Sequence, residues 1–154
     1  KKFSFIKKNN PSILSIKKNG KKNSLNMGFE FSNKILLIHA YPGLNYDSFN
    51  LIKIKPKVIL HTLYHSGTSS FQFTDFIKKN KNKKISFFVA PISNKKKNTY
   101  LSLKILMKLK AKCLKGITVE TAFAKLSLAF QSFKNEKDRN NFLSNNNFFE
   151  KISF

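Results

Sequence analysis

The residues able to do chemistry in this 154-residue chain are three histidines, one cysteine, seven carboxylates and one hydroxyl-rich loop. His39, His61 and His65 stand at the ends of two apolar runs and lack the helical spacing that brings histidines onto one metal. His39 and His61 are read as buried or half-buried structural residues. His65 differs, because the second run gives out there into Tyr64, His65, Ser66, Gly67, Thr68, Ser69, Ser70. Open parallel sheets bind ligands at the carboxyl ends of their strands, which makes Tyr64, His65, Ser66, Gly67 and Thr68 the candidate contact loop. The carboxylates Glu30, Asp47, Asp75, Glu120, Glu136, Asp138 and Glu150 include no pair spaced for acid–base work, and Glu120 suits a helix start. Cys113 is alone, which excludes an intrachain disulfide and a Cys-only metal site and points to a reducing compartment. Lysines flank it, yet it lies in an apolar strand and is read as structural. The turn Ala40, Tyr41, Pro42, Gly43, Leu44 holds one glycine, too few for a dinucleotide or phosphate loop. No metal, no cofactor and no complete catalytic constellation is expected in this chain.

These residues must be positioned by elements whose order is readable. Apolar runs at Ile35 to His39, Val58 to Leu63 and Ile85 to Ala90 have strand length, are closed by Pro42 with Gly43, by Gly67 and by Pro91, and do not alternate. A fourth strand is expected around Cys113 and Leu114. A short segment from Tyr46 to Leu51 follows the first run. Phe73, Phe76 and Ile77 make one helical stripe, and Leu103, Leu106 and Met107 make another in a helix over 100–110 that Asn98 or Thr99 could cap. Thr118 caps a helix carrying Val119, Ala122, Phe123, Leu126, Phe130 and Phe133, and Asn135 caps the last one. Strands and helices therefore alternate. The expected fold is α/β, a small parallel sheet of about four strands with helices on both faces, a three-layer sandwich.

The formal net charge is +23, from 30 basic against 7 acidic residues. Such a charge raises nucleic acid as a partner. Only Arg139 among the basic residues is an arginine, however, and the other abundant residues, Asn, Phe and Ile, share with Lys codons rich in A and T. Base-reading proteins rely on the planar fork of Arg. No specific nucleic-acid binding is expected, only weak attraction to polyanions. No apolar run approaches the roughly 20 residues that cross a bilayer, so no membrane partner is expected.

The run Ile35, Leu36, Leu37, Ile38, His39, Ala40, Tyr41, Pro42, Gly43, Leu44, the segment Leu63, Tyr64, His65, Ser66, Gly67, Thr68, and the stretch Gly116, Ile117, Thr118, Val119, Glu120, Thr121, Ala122, Phe123, Ala124, Lys125, Leu126 together resemble the C-terminal domain of bacterial L-asparaginases of the cytoplasmic type. Asn145 to Ile152 is similar to the closing segment of that family. The resemblance covers residues 29–154, and it makes residues 1–28, which open on Lys1, the remnant of an interdomain linker. It implies a cytoplasmic homodimer or homotetramer that hydrolyses L-asparagine, with the catalytic threonines in a larger N-terminal domain. It also implies that the loop Tyr64 to Ser70 approaches substrate or a neighbouring subunit. Two positions depart from the family pattern: Thr68 stands where many relatives have Asn, and Ala90, Pro91, Ile92 replace a Gln-Cys turn. A different reading of the same residues is a split, non-catalytic remnant that persists as a structural or interaction module.

Overall fold

The four apolar runs form the centre of the molecule. In the computed structural model, which describes residues 34–92 and 100–146, they are the strands β1 (Ile35–Ile38), β2 (Val58–Thr62), β3 (Ser86–Ile92) and β4 (Lys112–Lys115). Every pairing is parallel, and the strands lie side by side in chain order, β1-β2-β3-β4. Ile35 sits beside Val58 and Val58 beside Ser86, so the first three strands start level. All five residues of β2 are buried. Helices on both faces leave it no solvent side, which is why it reads as a continuous apolar run.

Between the strands run a 3-10 turn (Tyr46–Ser48), α1 (Leu51–Ile54), α2 (Phe71–Lys79) and α3 (Leu101–Lys108); α4 (Val119–Ser132) and α5 (Glu136–Ser144) follow β4. A sheet that steps in one direction, with crossovers of one hand, must put all its crossovers on one face. That is what is seen. Tyr46, Leu51, Phe73, Phe76, Leu103 and Leu106 pack with Ile38, Ile59, Phe87 and Val89 on that face. The other face of the sheet, Val58, Leu60, Phe88 and Ala90, is covered by Ala122, Leu126 and Ala129 of α4 with Phe142 and Leu143 of α5. The architecture is a three-layer α/β sandwich.

Side-chain caps fix where four helices begin. At the start of α1, Asn50 Oδ1 accepts from Lys53 N at 3.0 Å. Ser70 Oγ accepts from Phe73 N at 3.2 Å, Thr118 Oγ1 from Thr121 N at 3.3 Å, and Asn135 Oδ1 from Asp138 N at 2.8 Å. Each such cap is worth about 0.5–2 kcal/mol.

Three sequence expectations need correction or fall outside view. Met107 does not face inward but is 50% exposed, because α3 has only two turns and its buried stripe is set by Leu103 and Leu106. β3 does not end at Ala90: it runs through a cis Ala90–Pro91 bond to Ile92, with irregular register against β4. Pro91 lacks only a donor, while the neighbouring carbonyls of Ala90 and Ile92 still accept, from Leu63 N at 3.1 Å and Gly116 N at 2.7 Å. The expected linker 1–28 and most of the closing segment lie outside the described residues, as do Asn98 and Thr99; α3 begins one residue later than expected, so its cap position falls on Tyr100, whose side chain makes no capping bond.

Candidate functional site at the carboxyl rim

Parallel strands send their outgoing loops to one end of the sheet, here called the carboxyl rim. The candidate loop leaves β2 there and is closed on itself. Tyr64 N donates to Thr68 O at 3.0 Å, and Gly67 N to Tyr64 O at 2.7 Å. Gly67 has φ +81, a left-handed conformation in which a Cβ would be strained, which accounts for a glycine at this position. Ser66 Oγ and Thr68 Oγ1 share a hydrogen bond of 2.7 Å. His65 and Ser66 are exposed, and Tyr64, Gly67 and Thr68 are half-buried. All five predicted residues are therefore together on one small turn.

Beneath that turn lies a cluster that sequence reading did not assemble. His61 is fully buried, and its ring stacks on Phe73 with centroids 3.6 Å apart and planes 13° from parallel. Its Nε2 shares a 2.7 Å hydrogen bond with the Tyr46 hydroxyl, while Nδ1 meets no partner of good geometry. Burial pushes the His61 pKa down to about 4, and burial also raises that of Tyr46. Both rings are neutral at pH 7. His61 is sealed from solvent and neither ring carries a charge, so the pair holds structure. The Tyr46 hydroxyl also lies 3.4 Å from Ser70 Oγ, the cap of α2, so the loop after β1 is tied to the end of the candidate loop. Two further bonds fasten the rim: Ala40 N donates to Thr62 Oγ1 at 2.7 Å, and Ser69 N to Ser102 Oγ at 3.3 Å. The sequence signals for this cluster were Ser70 three residues before Phe73, a cap pattern, and a tyrosine inside a polar stretch.

His61 is buried, as its place in the second run implies. His39 is not: it is exposed, because β1 ends at Ile38 and His39 falls one residue beyond the covered part of the sheet. Burial raises the Cys113 thiol, outweighing the lowering effect of Lys115, which fits a structural role. Glu120 sits in the first turn of α4, where hydrogen bonds from its own backbone and from Thr118 hold its carboxyl below the usual range. Among the described residues no three His, Cys, Asp or Glu side chains gather as a metal site. None of the described helices is long and apolar enough to cross a membrane.

The geometry also limits what the rim can do. Ligand crevices in open α/β sheets form where the strand order reverses, and this order never reverses among the described strands. A cavity of about 200 Å³ between the 3-10 turn and α2 is lined by Tyr46, Asp47, Asp75, Phe76 and Lys79 among others, and by none of Tyr64 to Thr68. The loop thus presents an imidazole and hydroxyls at the rim. No family model matches the chain, and no curated protein matches it.

Proposed function

We propose that this chain supplies the C-terminal α/β domain of an asparaginase-like amidohydrolase, which converts L-asparagine and water to L-aspartate and ammonia. One observation carries the reading. The three segments that resemble the family, 35–44, 63–68 and 116–126, reach the carboxyl ends of β1, β2 and β4, so all three contribute to one rim of one sheet. Segments that face a common partner are the ones a sequence has reason to keep alike.

In this reading the nucleophile is a threonine of the N-terminal domain in the full-length protein. Its hydroxyl attacks the side-chain amide, preorganised donors stabilise the tetrahedral oxyanion, ammonia leaves, and water releases aspartate from the acyl intermediate. No cofactor is required. The domain described here acts as scaffold and subunit interface in a cytoplasmic homodimer or homotetramer, and the Tyr64 to Thr68 turn lies against substrate or the neighbouring subunit. A turn exposed at the rim suits that role, since a second surface can close over it. At position 68 a hydroxyl, already engaged by Ser66, replaces the amide common in the family.

The test begins with the coding sequence upstream of Lys1, read for an in-frame segment with the two threonine motifs of the family. The expected result is that such a segment is found and that the full-length protein releases ammonia from L-asparagine while residues 1–154 alone do not. A stop codon or unrelated sequence upstream, or a full-length protein without amidase activity, overturns the proposal in favour of a non-catalytic interaction module.

A further inference from the structure

Glu120, Glu136 and Asp138 sit in the first turns of α4 and α5, where the helix dipole favours a carboxylate. The remaining carboxylates among the described residues, Asp47 and Asp75, both line the cavity of about 200 Å³ between the 3-10 turn and α2. One wall is a side of α2, on which Gln72, Asp75, Phe76 and Lys79 recur at helical spacing. The other wall is the 3-10 turn. It is held in shape by Asn45 Oδ1, which accepts from Asp47 N at 2.9 Å, and by the 2.7 Å bond between the Tyr46 hydroxyl and His61. Tyr46 and Phe76, both buried and with ring centroids 5.2 Å apart, join the two walls. The lining is therefore aromatic where it is buried and charged where it is exposed. Both signs of charge are present, for Lys79 Nζ stands 3.8 Å from Asp47 Oδ1.

We propose that this cavity binds a small α-amino acid with an apolar side chain. Its volume lies below the roughly 300–1,000 Å³ of pockets for drug-sized ligands, so the occupant is a small molecule. A buried aromatic base with charges of both signs above it matches a ligand that joins an apolar body to an ammonium and a carboxylate through one carbon. The ammonium takes Asp47 and Asp75, the carboxylate takes Lys79, and the side chain lies against Tyr46 and Phe76. A simple amine would face Lys79 with like charge, and a simple acid would face both aspartates. The ion pairs already present yield to such a ligand at little cost. Lys79 with Asp47 is longer than a good charge-assisted bond, and Lys78 with Asp75, at 3.0 Å, is an exposed pair of the kind that contributes little. Both walls are held by bonds of their own, so binding requires little ordering. None of Tyr64 to Thr68 lines the cavity, so the inference stands apart from the amidase reading.

The test titrates L-leucine into the 154-residue chain and follows the amide signals of Asp47, Gln72 and Asp75 by NMR. Isopentylamine, which lacks the carboxylate, and N-acetyl-L-leucine, which lacks the ammonium, are titrated in parallel. L-Leucine should shift those signals saturably, with an affinity in the millimolar range set by its few atoms, and both analogues should bind more weakly. Lys79→Gln should weaken L-leucine by about three- to fivefold, the worth of one exposed ion pair, and should strengthen isopentylamine, because Asp47 loses its competitor. A merely structural effect of the substitution would move both ligands the same way. Lys104→Gln, which removes the same charge at an exposed position outside the cavity, should change neither. Lys79 is exposed, and a matching thermal melt establishes that the variant folds; Asp47→Asn, which should weaken both ligands, takes its place if it does not. The proposal is overturned if L-leucine gives no saturable shift at those amides, or if isopentylamine binds as tightly as L-leucine. Equal loss in Lys79→Gln and Lys104→Gln overturns it as well, since it would reduce the binding to attraction by the net charge.

Discussion

The two faces of the sheet are covered in different ways. On the crossover face the connections are short, four, nine and eight residues for α1, α2 and α3, and the cover is aromatic. Tyr46, Phe73 and Phe76 form a run of rings, Tyr46 to Phe76 at 5.2 Å and Phe76 to Phe87 at 6.4 Å, with His61 stacked in the middle. On the opposite face the 14-residue helix α4 lies across the sheet through fully buried Ala122, Leu126 and Ala129, and α5 adds Phe142 and Leu143. Small residues let a long helix approach closely. Short helices cannot cover a sheet that way, so large rings fill the space between them. The crossover face therefore depends on a few big side chains, of which Tyr46 is tied by its hydroxyl to Ser70 at the end of the candidate loop, while the α4 face depends on the close approach of small residues.

Core truncation on each face should separate these roles. Phe73→Ala removes a fully buried ring and should cost about 3–5 kcal/mol, and Leu126→Ala about 2–5 kcal/mol, both read as a lower urea midpoint. The difference expected is in the loop. Phe73→Ala should also speed amide exchange at Gly67 and Ser69, because His61 loses its stacking partner, and with it the Tyr46 hydroxyl that reaches Ser70 loses its anchor. Leu126→Ala should leave those amides unchanged relative to the rest of the chain. Equal behaviour of the loop in both variants would remove the distinction between the faces.

The next largest effect is a pH dependence that belongs to the aromatic face alone. His61 titrates near its ordinary 6.5 when unfolded and at about 4 when folded, because burial disfavours the imidazolium. Between those values the unfolded state binds more protons, so stability rises with pH. The contribution is fully present above about pH 6.5 and is lost as pH falls toward 4, amounting to about 3 kcal/mol. Urea melts from pH 7.5 down to 4 should show this decline. In His61→Phe the part due to imidazole should vanish; an unchanged decline would assign the acid sensitivity to other groups.

Much of this was legible in the sequence, and the reasons are local. The runs around Leu60 and Val89 are apolar throughout because both faces are covered, and Thr118 and Asn135 announce helices because caps act within three residues. The Tyr64 to Thr68 turn was legible for the same reason, since Gly67 and its hydroxyl neighbours set the turn by themselves. What escaped depended on contacts between distant residues. Tyr46 reaches His61 across 15 positions and Ser70 across 24. The exposure of His39 turned on where β1 stops, and strand boundaries are set by pairing with β2 rather than by the apolar run. The sheet order is fixed by packing of whole units.

The smallest effect sharpens the comparison by its sign. Among the described residues each face buries one polar side-chain atom without a partner, His61 Nδ1 on the aromatic side and Ser127 Oγ in α4. The His61 ring is still anchored through Nε2 and by stacking, so its loss removes contacts. Ser127 has no hydrogen bond to lose, and an unpaired buried hydroxyl costs about 1–3 kcal/mol. Alanine at that position keeps the small volume that α4 needs and is a better helix former by roughly 0.5 kcal/mol. Ser127→Ala should therefore raise the urea midpoint, by an amount corresponding to about 1–2 kcal/mol, with no change in the pH profile. A lower midpoint would mean that the hydroxyl bonds back to the Phe123 carbonyl one turn earlier, and that the α4 face, like the aromatic face, carries a polar contact on which its packing relies.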